Sequence, residues 1–259
     1  SLSTTWAATY YVDATEGNDT YPGTQSQPWR TISQATLSLR PGDKVIIKAG
    51  RYFEQLSPQY SGTSGNPIVY QAETGKQTIV NGIYLYQKSY IRIEGFSTKE
   101  TNLQGAIHLS TRSNQNQIIN CIISANYGNG ILIEDSSNNN SISNNKVSLC
   151  HYAEGNYQFY NSNGIMVRFG SNANYISGNE FFSNYGSGIF IYKSSNNIVE
   201  MNKVYENGAG GIDVNDQESN NNLVTSNIIY RNGQIDTDEQ GISFFNSGSG
   251  NIARWNAVY

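Results

Sequence analysis

The sequence holds little of what most metal-binding and nucleophilic enzymes are built from. Two histidines, His108 and His151, and two cysteines, Cys121 and Cys150, are all that 259 residues contain of those types. The histidines fall far apart and no paired Cys spacing accompanies them, so a zinc site is not expected. No Gly-x-Ser-x-Gly elbow and no Gly-rich phosphate loop is present. Charge is scarce too: charged residues make up 14% of the chain, and the net charge is -4. Without a basic patch or run, neither nucleic acid nor an anionic lipid surface is an expected partner. No apolar stretch approaches the roughly 20 residues that cross a bilayer, so no membrane span is expected. Ser1 to Thr5 do not have the layout of a signal peptide, and the expectation is a mature secreted or cell-surface chain whose signal has been removed.

The chain is instead rich in uncharged polar residues, glycine and tyrosine, with 25 Gly and 19 Tyr. It is also periodic. Segments opening at Gly130, Gly164, Gly188, Gly211 and Gly241 each continue with an isoleucine and then alternate apolar with variable residues, and a looser copy starts at Ala106. After each glycine comes an Asn followed five positions later by another: Asn140 and Asn145, Asn174 and Asn179, Asn197 and Asn202, Asn222 and Asn227, Asn251 and Asn256. Around these pairs, Ile142, Val147, Ile176, Phe181, Val199, Val204 and Val224 alternate as short half-buried strands do.

Such self-similarity predicts a solenoid that climbs one strand spacing, about 4.8 Å, per turn. Ile131, Ile165, Ile189, Ile212 and Ile242 then stack as one inward ladder, and Ile133, Val167, Ile191, Val214 and Phe244 as another. The Asn residues are expected at corners, where Asn tolerates a left-handed backbone and stacked amides hydrogen-bond along the axis. In this register Cys121 and Cys150 lie too far apart along neighbouring strands for a disulfide, so both are expected as thiols.

The predicted fold class is all-β, a right-handed parallel β-helix with a short N-terminal capping helix, forming a single domain over 1–259. Residues 1–43 are read as the cap and 44–259 as the coils. The stretch 28–43 reads as an amphipathic helix stopped by Pro41 and Gly42, which covers the open first coil. Strands are expected at 44–48, 67–70, 79–86 and 90–94. The last coil, ending at Tyr259, leaves an edge that another segment or end-to-end pairing would cover, so the chain is expected as a monomer or as such a pair.

The N-terminal segment carries a family likeness. Tyr10-Tyr11-Val12-Asp13, Gln27-Pro28-Trp29-Arg30-Thr31-Ile32, Pro41-Gly42-Asp43-Lys44-Val45 and Gly50-Arg51-Tyr52 resemble the opening of secreted right-handed β-helix proteins of the pectate lyase-like superfamily. The likeness extends over nearly the whole chain and implies the β-helix fold and a polysaccharide partner. Lyases, epimerases, hydrolases and inactive adhesins share this opening. The Asn-Thr-Asp, Asp-Asp and Gly-His-Gly motifs of polygalacturonase-type hydrolases are absent, as is the Asp-Pro-His-Glu of alginate epimerases.

Insertions in a solenoid point to the groove. The glycine intervals are 34, 24, 23 and 30 residues, which places two insertions, at about 151–163 and 233–240, beside the glycine-led sheet. Between them the outward positions are Met166, Arg168, Phe190, Tyr192, Asp213 and Asn215, with Lys193 and Asp216 at strand ends. Met166, Phe190, Tyr192 and Asn215 are the expected saccharide contacts, since sugar ring faces stack on aromatics while hydroxyls need polar partners. An ordinary solenoid exterior covered by loops accounts for the same residues. Asp213, Asp216, Asp236, Asp238 and Glu239 concentrate enough carboxylates to ligate Ca²⁺, or to form a solvated acidic loop.

Asp213 with Asp238 and Glu239 is similar in part to the aspartate cluster of calcium-dependent pectate lyases, departing from it at Ser243. That resemblance implies Ca²⁺-assisted β-elimination on an acidic polysaccharide, with Lys193 as the base and Arg168 binding a carboxylate or replacing it. A base of this kind needs a lowered pKa. A non-catalytic polysaccharide-binding or cell-surface adhesion module on the same scaffold is the alternative.

Overall fold

The computed structural model describes residues 7–99, 101, 103–124, 127–151, 162–235 and 241–259. It is the expected right-handed parallel β-helix, with about eight turns. Among the described residues the strands form parallel sheets of ten, nine and seven strands. One representative coil runs from Ile165–Arg168 in the third sheet to Tyr175–Ser177 in the first and Glu180–Phe182 in the second, then returns to the third at Ile189–Tyr192.

Strands this short survive because every turn repeats the last in register. Ile165 aligns with Ile131 below and Ile189 above, and Ile189 with Ile212. Val167 aligns in the same way with Ile133 and Ile191. These ladders, with Ile176, Val199 and Val224 from the first sheet and Phe181, Val204 and Ile229 from the second, are completely buried in one continuous core. The glycine heading each third-sheet strand is explained by that core. A Cβ at Gly130 would meet Val147 Cγ1 at 2.2 Å, and one at Gly188 would meet Val204 Cγ1 at 2.2 Å.

The asparagines differ from expectation in one respect. The left-handed residue at each corner is the one before the ladder Asn: Asn139, Asn144, Ala173, Asn196, Met201, Asn221, Ser226 and Trp255 all have φ between 54° and 59°. Ladder asparagines instead turn inward and hydrogen-bond between coils. Asn145 donates its backbone N–H and its Nδ2 to Asn179 Oδ1, both at 2.9 Å. Asn179 does the same to Asn202 at 2.9 and 3.0 Å, and Asn202 to Asn227 at 2.9 and 3.0 Å. The second Nδ2 proton of Asn202 goes to the Ile176 carbonyl at 2.9 Å. Buried corner amides are thereby satisfied by side chains where the sheet ladder is interrupted. A third such ladder, Asn184, Asn207 and Asn232, runs beside the second sheet.

The cap is shorter than expected and joined to the solenoid. The helix spans only Ile32–Ser38, capped by Thr31, whose side chain accepts from the Gln34 N–H. Trp29 belongs to the first coil: it bridges to Val12 and stacks on Tyr10 at 4.6 Å. Thr9–Val12, inside the segment read as cap, pairs with Lys44–Ile47 as a strand of the first sheet. The stretch 79–86 is divided between two sheets, Thr78–Val80 and Ile83–Tyr86, by Gly82 at φ 96°. Cys121 and Cys150 are both buried thiols that form no disulfide. In the last coil the inward positions Phe244 and Val258 are 36% and 51% exposed. No described helix is long and apolar enough to cross a membrane.

Asn196 and Asn197 separate the two roles of corner asparagines. Asn197→Ala removes the acceptor of the Asn174 N–H and Nδ2 and is expected to cost roughly 2–4 kcal/mol, because buried donors are left unmade. Asn196→Ala, at a left-handed position outside the ladder, is expected to cost roughly 1 kcal/mol. Denaturant unfolding of the two variants checks the order; equal losses would show that the ladder is not what chiefly holds the corners.

Candidate functional site

Two rows of side chains stand on the outer face of the third sheet. In the first, strand register aligns Tyr84, His108, Leu132, Met166, Phe190, Asp213 and Ser243. The middle of this row faces outward but is sealed. Leu132 is fully buried, Met166 and Asp213 are 2% exposed, and Phe190 is 5% exposed. Leu132, Met166 and Phe190 form a small apolar cluster of their own, with Tyr192 packed against it. Phe190 is therefore a covered residue and not the open stacking surface expected from its outward position. Asp213 lies over the backbone of Gly210, where a Cβ would meet its Oδ2 at 2.3 Å.

The second row is open. Arg168, Tyr192, Asn215 and Phe245 align in successive coils. With Met166, Phe169 and Asp216 they line a groove of about 400 Å³. Phe169 and Phe245 are 44% and 63% exposed. Phe169 meets Tyr192 edge-on at 6.0 Å, and the Arg168 guanidinium lies 4.9 Å from the Phe169 ring centre. On the second sheet, by contrast, Phe182, Tyr205 and Tyr230 stack face to face at 5.2 and 4.9 Å. Those rings cover one another's faces and expose mainly edges, whereas the groove on the third sheet offers open aromatic surface.

Of the sequence-nominated residues, Arg168, Tyr192, Met166, Asn215 and Asp216 come together in this groove. Lys193 sits at its edge, its Nζ 3.8 Å from Asp216 Oδ2 and 3.7 Å from Glu218 Oε1. The charge of Asp216, with Tyr192 and Glu218, pushes the Lys193 amine above its ordinary value. A base of the expected kind needs the opposite shift. Asp236, Asp238 and Glu239 lie outside the described residues, and among those described no three His, Cys, Asp or Glu side chains gather to hold a metal. Asp216 is paired with Lys193, and Asp213 is 2% exposed.

The sequence reading missed a set of residues upstream. Glu134 follows Ile133 at the end of its strand and divides its carboxylate between neighbouring coils. Oε1 meets His108 Nε2 at 2.7 Å, while Oε2 accepts from Arg168 Nε at 2.8 Å and lies 2.7 Å from Nη2. The side chains of His108, Glu134 and Arg168 are only 14%, 10% and 17% exposed. Burial alone would raise the Glu134 carboxyl, but the hydrogen bonds from His108 and Arg168, with their charge, outweigh it and hold the group below its ordinary 4.5. Tyr84 packs on the imidazole, ring centres 5.0 Å apart. The signal for finding these residues was available. His108 lies on the strand Gly105–Ser110 and Glu134 directly follows the strand Asn129–Ile133, in the two coils before the one opened by Gly164.

A family model described as "Pel9A-like, right handed beta helix region" matches residues 10–152. The uncharacterized protein YwoF of Bacillus subtilis (strain 168) is 26% identical over 106 residues, covering 36% of this chain and 23% of that protein, so the match spans about a quarter of the relative's length. Among solved structures, pectate lyase Pel9A superposes with a TM-score of 0.73 at 15% identity, over 97% of this chain and 80% of that one. XylC, solved in complex with xylose, gives 0.78 at 14%, over 96% and 66%. Alginate lyase from Paenibacillus sp. str. FPU-7 gives 0.66 at 17%, over 97% and 95%. At these identities the superpositions establish the shared fold.

The Glu134 pairing predicts an acid-labile contribution to stability. Because its carboxyl is lowered on folding, the stabilisation is present above the ordinary 4.5 and is lost as pH falls through the lowered folded value. Glu134→Gln should leave less stability to lose below about pH 4.5 than the native chain has, measured as unfolding midpoints from neutral pH downward. Identical acid profiles for the two proteins would contradict the pairing.

Proposed function

As the chain belongs to the Pel9A-like right-handed β-helix family, we propose that it is a secreted or cell-surface carbohydrate-active protein that binds an acidic polysaccharide along the third sheet. The observation that carries this reading is the groove itself, where Phe169, Tyr192 and Phe245 stand beside Arg168, Asn215 and Asp216. Aromatic edges and faces next to fixed polar groups suit a saccharide, whose apolar ring faces and hydroxyls need both. The acidic character of the ligand rests on Arg168. Its Nε and Nη2 face Glu134, and its Nη1 meets only the weak thioether acceptor of Met166, at 3.9 Å, which a carboxylate would outcompete. Two structural relatives, a pectate lyase and an alginate lyase, are named for acidic polysaccharides.

β-Elimination is the second reading. What favours it is the placement of two cations, Arg168 and Lys193, on neighbouring coils at the ends of the strands that carry the groove. In this reading Asp213, Asp216, Asp236, Asp238 and Glu239 remain the carboxylates proposed to recruit Ca²⁺, and assays with and without the ion address that separately.

Retention in affinity gels containing polygalacturonate, alginate or a neutral glucan measures binding directly. The acidic polymers are expected to retard the protein and the glucan to leave it unmoved. Tyr192→Ala should weaken retention about 5- to 10-fold, the loss of roughly one aromatic contact of about 1 kcal/mol. If no polymer retards the native chain, with or without Ca²⁺, the polysaccharide reading fails.

A further inference from the structure

The geometry points to His108 as the acid–base residue of this face, with Glu134 positioning it and Arg168 holding a carboxylate further along the same polymer. This rests on the acidic-polysaccharide reading above and takes its β-elimination form. The chemistry starts from Glu134. Its carboxyl is held below the ordinary range, so near neutral pH it is ionised and can only accept hydrogen bonds. The 2.7 Å contact with His108 Nε2 therefore requires the imidazole proton on Nε2. In the neutral ring that leaves Nδ1 with its lone pair, available to a substrate proton.

A carboxylate fixing one imidazole nitrogen, so that the other is a base of set tautomer and orientation, is the arrangement general-base chemistry needs. The same carboxylate offsets the positive charge that the ring acquires on accepting a proton. Lys193 offers the reverse: Asp216 keeps its amine protonated.

Arg168 completes the set. It begins the lined groove and also receives Glu134, so it joins the open row to the histidine. Strand spacing places it about two coils, or roughly 10 Å, from His108 along the axis. The chemistry balances without any further reactant. Nδ1 takes the proton α to the uronate carboxylate, at C5, and the C5–H electron pair becomes the C4=C5 double bond. The C4–O bond breaks, and the departing oxygen takes a proton from the imidazolium. Tyr84, packed on the ring, restricts its rotation.

The test uses the full chain on polygalacturonate and alginate, following the ultraviolet absorbance of the unsaturated product. His108→Gln is expected to lower kcat by ~100-fold or more with KM little changed, the usual weight of a general base. His108→Gly should regain turnover when imidazole is added, which a purely structural histidine would not do. Glu134→Gln should lower kcat more than it raises KM, whereas Arg168→Gln should act mainly on KM. Full turnover by a folded His108→Gln protein, or loss of turnover on Lys193→Met alone, overturns the assignment. So does a native chain that is retained by these polymers yet turns none of them over, and in that case the binding reading stands. Absence of both retention and turnover overturns the two together. Should His108→Gln not fold, the native protein decides. With only two histidines in the chain, ring resonances of His108 are separable from those of His151, and trigalacturonate or trimannuronate must shift them. Unmoved His108 signals at saturation overturn the proposal.

Discussion

From Asn116 onward, the described coils turn their corners at the expense of backbone hydrogen bonding, and the inward asparagines resolve that cost. A buried N–H at a corner has no strand partner, and leaving it unmade would cost more than a typical hydrogen bond contributes. Asn179 Oδ1 takes both the main-chain and the side-chain N–H of Asn145, and the motif repeats upward through Asn202 and Asn227. Once the corners stack in register, everything else must stack. Isoleucines fall on isoleucines, and a glycine is imposed wherever Val147 or Val204 presses on the next strand. The residue before each ladder Asn adopts a left-handed backbone whether it is Asn, Ala, Ser, Met or Trp, since the corner geometry is set by its neighbour.

A scaffold held from within in this way leaves its exterior free to vary. On the second sheet that freedom is taken up by a self-stacked aromatic row, with Tyr205 hydrogen-bonded to Glu180. On the third sheet it produces a sealed apolar row beside an open polar one. The sealed row supports the open one: Tyr192 packs against the Phe190 cluster and also lines the groove. Arg168, shared between the groove and Glu134, couples the aromatic half of the face to its histidine-bearing half.

Much of this architecture was legible in the residues. The glycine-led strands, the two apolar ladders, the five-residue Asn spacing and the separation of the cysteines are properties of a repeat, and a repeat announces its own register. Expectations failed where identity alone had to stand for geometry. Phe190 and Asp213 alternate outward as expected, yet alternation reports direction and not what lies above a side chain. Lys193 was expected as a base with a lowered pKa, but the turn after the next coil's strand delivers Asp216 and Glu218 beside it. The helix is shorter than its amphipathic pattern predicts, because that pattern includes Trp29, which is pinned into the first coil by Tyr10.

By itself the sequence determined the solenoid, its core and the face on which a site would lie, because those follow from period and alternation and need no knowledge of distant contacts. Only the tertiary structure decided which outward residues are open and which groups share charge. His108, Glu134 and Arg168 come from three coils; the repeat places Glu134 and Arg168 four residues after Gly130 and Gly164, but register alone does not say which charges meet. Their meeting depends on how far each turn rises and on which rotamers neighbouring coils allow, and both are fixed only when the coils are stacked.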